Sequence, residues 1–296
     1  MNKVFVWTGY GLDSACSYLL LNWLTSDILD VAQTTTERFR EDFLRWQLKT
    51  SLLEYKTVFI TGLDLTRSLD VADRSNVVII DHHPRHVEAR NLYSTAQTVI
   101  ANNTSTSRLI FKSFNSIFKD KLTTEQKQLV ALVNDYTSGE NKLQVSRDLN
   151  SLYWSYAGTK IIKFSEDFNK GFRAFNKLQQ NAINFYNKKA QRDINQLDIY
   201  TGKITLKDGD HRVVSCFSIS SYDEISNYLF NTHAAEIAVI INIQTKTVFF
   251  TRSKTSTVSM DKLANLLCDG SGTDRFAGGS LTDKFLTFCK TLEQLC

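Results

Sequence analysis

Over its first eighty residues the chain repeats one pattern: a short apolar run without polar alternation, then a break, then a segment of helical length. VFVWT (4–8), ILDVAQT (28–34), TVFIT (57–61) and NVVII (76–80) are the runs. ACSYLLLNWL (15–24) and ERFREDFLRWQLKTSLL (37–53) carry helical apolar spacing between them. A strand with one wet face alternates apolar and polar residues. A strand that is apolar throughout must be covered on both faces, as in a parallel sheet whose crossovers are helices. The pattern predicts an α/β fold with a doubly wound, mainly parallel sheet. Further helices are expected over TSTSRLIFKSFNSIF (104–118) and TTEQKQLVALVNDY (123–136), the second opened by a partial capping-box pattern.

From Ile161 to about Asn195 the chain reads as helix, interrupted only at Gly171. Phe164, Phe168, Phe172, Phe175 and Leu178 recur at helical steps, which predicts a core stripe in preference to a row of base-stacking platforms. After Tyr200 the pattern changes. KITL (203–206) and RVVSCFSI (212–219) precede a helix-like SSYDEISNYLF (220–230). EIAVIINI (236–243) and KTVFFTRS (246–253) flank a tight turn and should pair antiparallel. MDKLANLL (260–267) is an expected helix, followed by glycine-rich DGSGTDRFAGGS (269–280). The expectation is a first domain over 1–160, a long helical connection over 161–199, and a smaller mixed α/β domain over 200–296, with a ligand cleft between the domains.

Composition narrows the functional classes. Hydrophobic content of 42% and charged content of 22% are those of a globular chain. Apolar runs such as Ala238–Ile241 are far too short to span a bilayer, and MNKVFVW lacks the build of a signal peptide. Five cysteines without a CxxC spacing argue for a reducing compartment and against a cysteine-held metal, so a cytoplasmic location is expected. A net charge of +4 is ordinary for this length; it suits a phosphate-bearing ligand and is small for a duplex-DNA binder.

The chemistry is concentrated in VVIIDHHPRH (77–86), which places three of the five histidines directly behind an apolar strand. In α/β sheets the carboxyl ends of strands are where ligands bind. Carboxylate and imidazole together suit Mn²⁺, Mg²⁺ or Zn²⁺. Asp81-His82-His83 resembles the signature of the DHH phosphoesterase superfamily, whose two-domain branch carries a C-terminal DHHA1 domain. That superfamily includes single-strand-specific exonucleases, nano-RNases, cyclic-dinucleotide phosphodiesterases and manganese pyrophosphatases. The resemblance covers nearly the whole chain. TVFIT stands at the second motif and VNDYTSG (133–139) at the fourth. TRSKTSTVSMDKLANLL (251–267) with GSGTDRFAG (270–278) is similar to the family's RS-containing strand, helix and GGGHxxAAG loop.

What the resemblance implies is a damaged metal centre. The family's first motif, HxDxDGxxS, corresponds to GYGLDSACS (9–17), where Asp13 and Ser17 match but Gly9 and Gly11 replace the His and the first Asp. Gly62 stands where the family has a metal-bridging Asp, and Thr273 where the DHHA1 loop has its His. The resemblance therefore implies a metal set of Asp13, His82 and Asp135 with Asp81 beside them, holding one Mn²⁺ or Mg²⁺ or none. The other metal's ligands are glycine. Asp64 could substitute for the missing bridge. By the same resemblance His83 lies near the substrate phosphate in a catalytic role, and Arg252 and Ser253 stand where substrate is contacted; Arg85, following the DHH at a strand end, suits a phosphate, and Gly270 and Gly272 offer close backbone approach to a ligand. The glycines at 9 and 11 also admit a different reading, in which exposed N–H groups before a helix seat an anion directly.

Three functions follow as expectations. The first is a phosphoesterase-like protein that binds a nucleotide or short single-stranded oligonucleotide, with two-metal hydrolysis lost or strongly reduced. The second is an active phosphodiesterase or oligonucleotidase using one remaining metal. The third is a non-catalytic protein-interaction module.

Overall fold

The computed structural model describes residues 3–281 except 26–27, 51–53, 103, 115, 117–121, 141, 207–208, 220–221 and 269. The expected helical ends at 51–53 and 117–118 and the start of the expected helix at 220–221 lie outside the described residues. The chain forms two compact units, Met1–Tyr186 and Asn187–Cys296.

The first unit is built on five parallel strands: β1 (Lys3–Thr8), β2 (Ile28–Gln33), β3 (Tyr55–Thr61), β4 (Val77–Asp81) and β5 (Gln97–Ile100). Their order is β2-β1-β3-β4-β5. Around them run α1 (Leu12–Leu24), α2 (Thr36–Gln47), α3 (Leu69–Ala72), α4 (Pro84–Ala89), α5 (Thr106–Ser113), α6 (Thr124–Thr137), α7 (Gln144–Ser155), α8 (Lys160–Phe168) and α9 (Lys177–Ile194). The last of these runs across the boundary between the units.

The unbroken apolar character of the strands has the expected cause. Phe5 and Trp7 enter one core with Phe39 and Phe43 of α2, while Val6 enters a second core with residues of α1, α5, α6, α7 and α8. Both faces of the sheet are covered at its central strands β1, β3 and β4. The partial capping box at the start of α6 proves complete: Gln126 N donates to Thr123 Oγ1 at 3.2 Å and Thr123 N donates to Gln126 Oε1 at 2.8 Å.

The phenylalanine stripe is core, but it does not lie on one helix. α8 ends at Phe168, and the chain turns at Gly171, where φ is +88°. A Cβ there would come within 2.3 Å of the Glu125–Gln126 backbone. Phe172 N then donates to Glu125 O at 2.9 Å. Phe164, Phe168 and Phe172 are buried in the core shared with α1, whereas Leu178 is exposed.

The second unit has a six-stranded sheet of β6 (Ile199–Leu206), β7 (Gly209–Phe217), β8 (Ile237–Asn242), β9 (Thr247–Arg252), β10 (Ser271–Gly272) and β11 (Phe276–Ser280). The order is β10-β11-β9-β8-β7-β6. Only the β7–β8 pair is parallel, so the sheet is mixed. α10 (Tyr222–His233) contributes Ile225 and Leu229 to a core with Ala238 and Ile240, and α11 (Met260–Cys268) contributes Leu263 and Ala264 to another with Val248 and Phe250. Among the described residues no helix is long and apolar enough to cross a membrane.

Candidate functional site

In the strand order of the first unit, β1 is followed in sequence by its neighbour on one side and then by β3 on the other. That reversal opens a crevice at the carboxyl ends of the strands. Gly9, Gly62 and His82 follow β1, β3 and β4 there, on three adjacent strands. The last rungs are joined by Thr61 Oγ1 donating to Thr8 Oγ1 at 2.9 Å.

The β4 corner is a network of side chains. Asp81 and His86 are fully buried. Asp81 Oδ1 meets His83 Nδ1 at 2.7 Å, and Asp81 Oδ2 meets His86 Nδ1 at 2.7 Å. His86 Nε2 lies 2.5 Å from Tyr93 Oη. The rings of His82 and His83 stack at 4.8 Å. Burial alone would raise the Asp81 carboxyl, but the charges and hydrogen bonds of His83 and His86 outweigh it and hold the group well below the usual carboxylate range. Burial, and then His83, push His82 below its ordinary value, so a neutral ring is favoured at neutral pH. Arg85 Nε is 3.9 Å from Asp64, whose carboxylate also accepts Thr66 N at 3.0 Å.

Asp13 and Asp135 serve as remote helix caps. Asp13 Oδ2 accepts Thr106 N at 2.8 Å; its Oδ1 accepts Ser107 N at 3.0 Å and Ser107 Oγ at 2.6 Å. These are donors of the first turn of α5, which an isolated helix leaves unsatisfied. Asp135 ties down the entry to α7, whose N-cap is Leu143 with no capping side chain. It accepts Lys142 N at 3.1 Å, Leu143 N at 3.2 Å and the Ser146 hydroxyl at 2.5 Å. Burial raises the Asp135 carboxyl, but Ser146 and the two backbone donors pull it lower overall. His82 Nδ1 bonds with Thr106 Oγ1 at 2.7 Å and sits 3.9 Å from Asp13 Oδ2. Asn134, beside Asp135, accepts Ser105 N at 3.1 Å. Tyr153 Oη accepts Gly11 N at 3.3 Å. Asn134, Tyr153 and Thr106 are site neighbours that the sequence did not mark, because each acts through a partner distant in the chain; His86, whose partners Asp81 and Tyr93 lie five and seven residues away, was given no role there either.

The glycines do not leave a vacant cage. A Cβ on Gly9 would lie 3.2 Å from Gly62 O and 3.3 Å from Ser14 Oγ, so the two loops already close on one another. A Cβ on Gly62 would meet Thr106 Oγ1 at 3.5 Å, with φ at +64°. Gly11, the N-cap of α1, has φ +116° and open space beside it. Two of the three glycines therefore use backbone conformations that other residues rarely adopt.

In the second unit, Arg252 ends β9 and donates from Nη1 to Ser256 O. Ser253 Oγ pairs with Thr255 Oγ1 at 3.1 Å. Gly270 and Gly272 lie where a Cβ would come within 2.2 Å of Gly278 O and Phe276 O respectively, so the close approach that requires glycine is to the β11 backbone.

No family model matches the sequence, and no curated protein matches it. Among solved structures, an exopolyphosphatase-related protein from Bacteroides fragilis is similar over 99% of this chain and 91% of that one, at 16% identity and TM-score 0.55. A pGpG-specific phosphodiesterase, PggH from Vibrio cholerae, is similar over 99% and 97%, at 12% identity and TM-score 0.54. The chain has the DHH/DHHA1 fold. At this identity the likeness is one of fold, and function has to be argued from the site.

A DHH phosphoesterase fold raises the question of divalent metal. Among the described residues the metal-capable side chains that converge are Asp81, His82 and His83, with ligand atoms within 4.8 Å of one another. Both Asp81 oxygens are already engaged by imidazole nitrogens, and both oxygens of Asp13 and of Asp135 by N–H or O–H donors. With glycine at 9, 11 and 62, these residues do not fit a pair of divalent ions.

Proposed function

We propose that this chain binds a nucleotide or short single-stranded oligonucleotide, with two-metal phosphodiester hydrolysis lost or strongly reduced. The observation that carries the reading is the closure of the Gly9 and Gly62 loops on each other, 3.2 Å from a Cβ on Gly9 to Gly62 O. Two-metal hydrolysis needs ions about 4 Å apart that clamp both the attacking and the leaving oxygen. Carboxylates are required on both sides of that pair, and one side here is backbone.

Phosphate-directed groups are better retained. His83 and Arg85 stand at the end of β4, and Arg252 with Ser253 at the end of β9. Arginine offers a planar fork of donors suited to phosphate oxygens. The likeness in fold to a pGpG-specific phosphodiesterase supports a ligand of the nucleotide class.

A second reading is favoured by one local feature. His82, held toward its neutral form, lies 3.9 Å from Asp13 and could bind a single Mn²⁺ or Mg²⁺ with water completing the shell. In that case His83, oriented by Asp81, is the group placed to exchange a proton with substrate. The full chain should be assayed with Mn²⁺ against pGpG, a cyclic dinucleotide and a single-stranded oligomer, with calorimetric binding in parallel. Binding without turnover is the expected result. Turnover abolished in both His82→Ala and His83→Ala would replace the first reading with the second, and neither binding nor turnover would end both.

A further inference from the structure

Tyr10 lies between Gly9 and Gly11, the two glycines of the first motif, and is 59% exposed. A single exposed aromatic is ordinary on a protein surface. This one differs because its ring is tethered and uncharged polar groups gather beside it. Tyr10 Oη donates to Gln33 O at 3.4 Å, a long bond that lays the ring from the end of β1 toward the end of β2. The Gln33 side chain reaches back, its Nε2 donating to Gly9 O at 3.1 Å. β2 is an edge strand, so no further strand of the sheet lies beyond Gln33.

Tyr153 of α7 stands on the other side of the loop. Its ring is in the core and 1% exposed, and its Oη accepts Gly11 N at 3.3 Å. Burial raises this phenol; the Gly11 N–H and a hydrogen bond from Gln33 lower it by less, and the nearby Tyr10 adds to the rise. Tyr153 therefore keeps its proton at neutral pH. Its oxygen is the acceptor in both contacts, so that proton is spent in neither, and among the described residues no acceptor takes it. A buried O–H without an acceptor is costly to keep. Gln33 is placed similarly: its amide nitrogen faces Gly9 O, and its Oε1 is left as an acceptor. Beside Gly11 there is room, since a Cβ there would meet nothing within 4 Å.

A tethered exposed ring, an amide acceptor and a buried hydroxyl donor border this open space, and none of them is charged. That combination suits a planar, uncharged heteroaromatic ring with a polar edge. We propose that Tyr10, Gln33 and Tyr153 form a nucleobase site at the carboxyl ends of β1 and β2, with Tyr10 stacking on the base and Gln33 and Tyr153 meeting its edge. The proposal rests on the nucleotide reading given above and names where the base goes. Stacking on an aromatic ring accepts any base, because every base has a π-face. Preference among bases then falls to the amide and the hydroxyl. The tether limits the freedom Tyr10 loses when a base lies on it.

The test uses the full chain with pGpG, pApA and pUpU, each beside the same sugar-phosphate without its bases. Wild type, Tyr10→Phe, Tyr10→Leu, Tyr153→Phe and an exposed control in the second unit, Tyr200→Leu, are compared by calorimetry and by proton NMR of the ligand. Wild type and the control should bind at least one dinucleotide equally well. Tyr10→Phe keeps the ring and should stay within about twofold, whereas Tyr10→Leu should bind about tenfold more weakly. Tyr153→Phe should lose about threefold. The base protons should move upfield on binding to wild type and Tyr10→Phe, under the ring current, and not on binding to Tyr10→Leu. Affinity unchanged in Tyr10→Leu, or an equal loss for the base-free ligand, would overturn the site and leave the nucleotide reading standing. If wild type binds no dinucleotide, the nucleotide reading fails and the nucleosides guanosine, adenosine and uridine decide this one. Nucleoside binding that depends on Tyr10 keeps the base site, and none ends it.

Discussion

The ends of β4 and of β1–β3 lie side by side and are built by opposite means. At the end of β4, position is fixed by side chains: Tyr93, His86, Asp81 and His83 form a continuous chain of bonds, with both central members fully buried. At the ends of β1 and β3, position is fixed by backbone, with Gly9 and Gly62 within contact and Gly62 in a left-handed conformation. The difference shows what happens when a site loses its charged groups on one side. Lost carboxylates need not leave a hole, because loops freed of side chains can close. The charged side persists where its groups have other work, as Asp13 and Asp135 do in capping α5 and α7.

The contrast is most directly broken at Asp81. Replacing it with alanine removes the acceptor shared by two imidazoles in a fully buried setting and should cost about 3 kcal/mol in denaturant unfolding. Asp81→Asn, which keeps the shape, should lose less. A loss below about 0.5 kcal/mol would mean the β4 corner is no more than surface chemistry. The pH dependence has a definite sign. A carboxyl whose folded pKa is depressed contributes stability that is fully present above its unfolded value, about 3.9, and is lost as pH falls through the folded value. The acid limb of the unfolding profile below about pH 4 should therefore flatten in Asp81→Asn.

Next in size are Asp13→Ala and Asp135→Ala. Each leaves backbone donors of a helix start without an acceptor, at an expected cost of about 2 kcal/mol. The measurement belongs in EDTA, so that any cation is removed. No loss of stability under that condition would mean the two carboxylates have no capping role, and would restore them as candidates reserved for metal.

These residues also mark where the sequence was legible. The core strands could be read because both faces are dry, and DHH could be placed at a strand end because VVII precedes it. β5 was missed: QTVI is short, lies at the sheet edge, and exposes Gln97 and Thr98. α7 was missed because the local start signal is absent, Leu143 standing at the N-cap while the capping acid comes from α6. His86 was given no role, since residue type and spacing do not reveal that it bridges Asp81 and Tyr93. Local pattern reports burial and period. Contacts that run from one element to another lie beyond it.

Restoring side chains at the stripped loops should be moderately unfavourable and chemically unproductive. Gly62→Asp must hold a non-glycine residue near φ +64°, and Gly9→Ala must fit a Cβ 3.2 Å from Gly62 O. Each should lose about 1 kcal/mol. Gly62→Asp should not gain Mn²⁺ affinity by calorimetry, because the facing position 9 still lacks a ligand. A clear gain would show that the site had lost only side chains and kept its geometry, against the contrast drawn here.

The smallest effect is expected at Tyr93, and it tests whether the β4 network is one chain of bonds or several. Burial, and then the charges of Asp81, Asp64 and Asp73, raise the phenol, so Tyr93 keeps its proton beside His86 Nε2, 2.5 Å away. The other ring nitrogen, Nδ1, lies 2.7 Å from Asp81 Oδ2. Tyr93→Phe removes one hydrogen bond from this arrangement and should cost about 1 kcal/mol. The informative quantity is its coupling to His83. If the tyrosine fixes the His86 tautomer, and through Asp81 the orientation of His83, then Tyr93→Phe and His83→Ala should be non-additive in a double-mutant cycle by at least about 0.5 kcal/mol. Strict additivity would divide the network at Asp81, leaving His86 and Tyr93 as core packing and His83 oriented by the carboxylate alone.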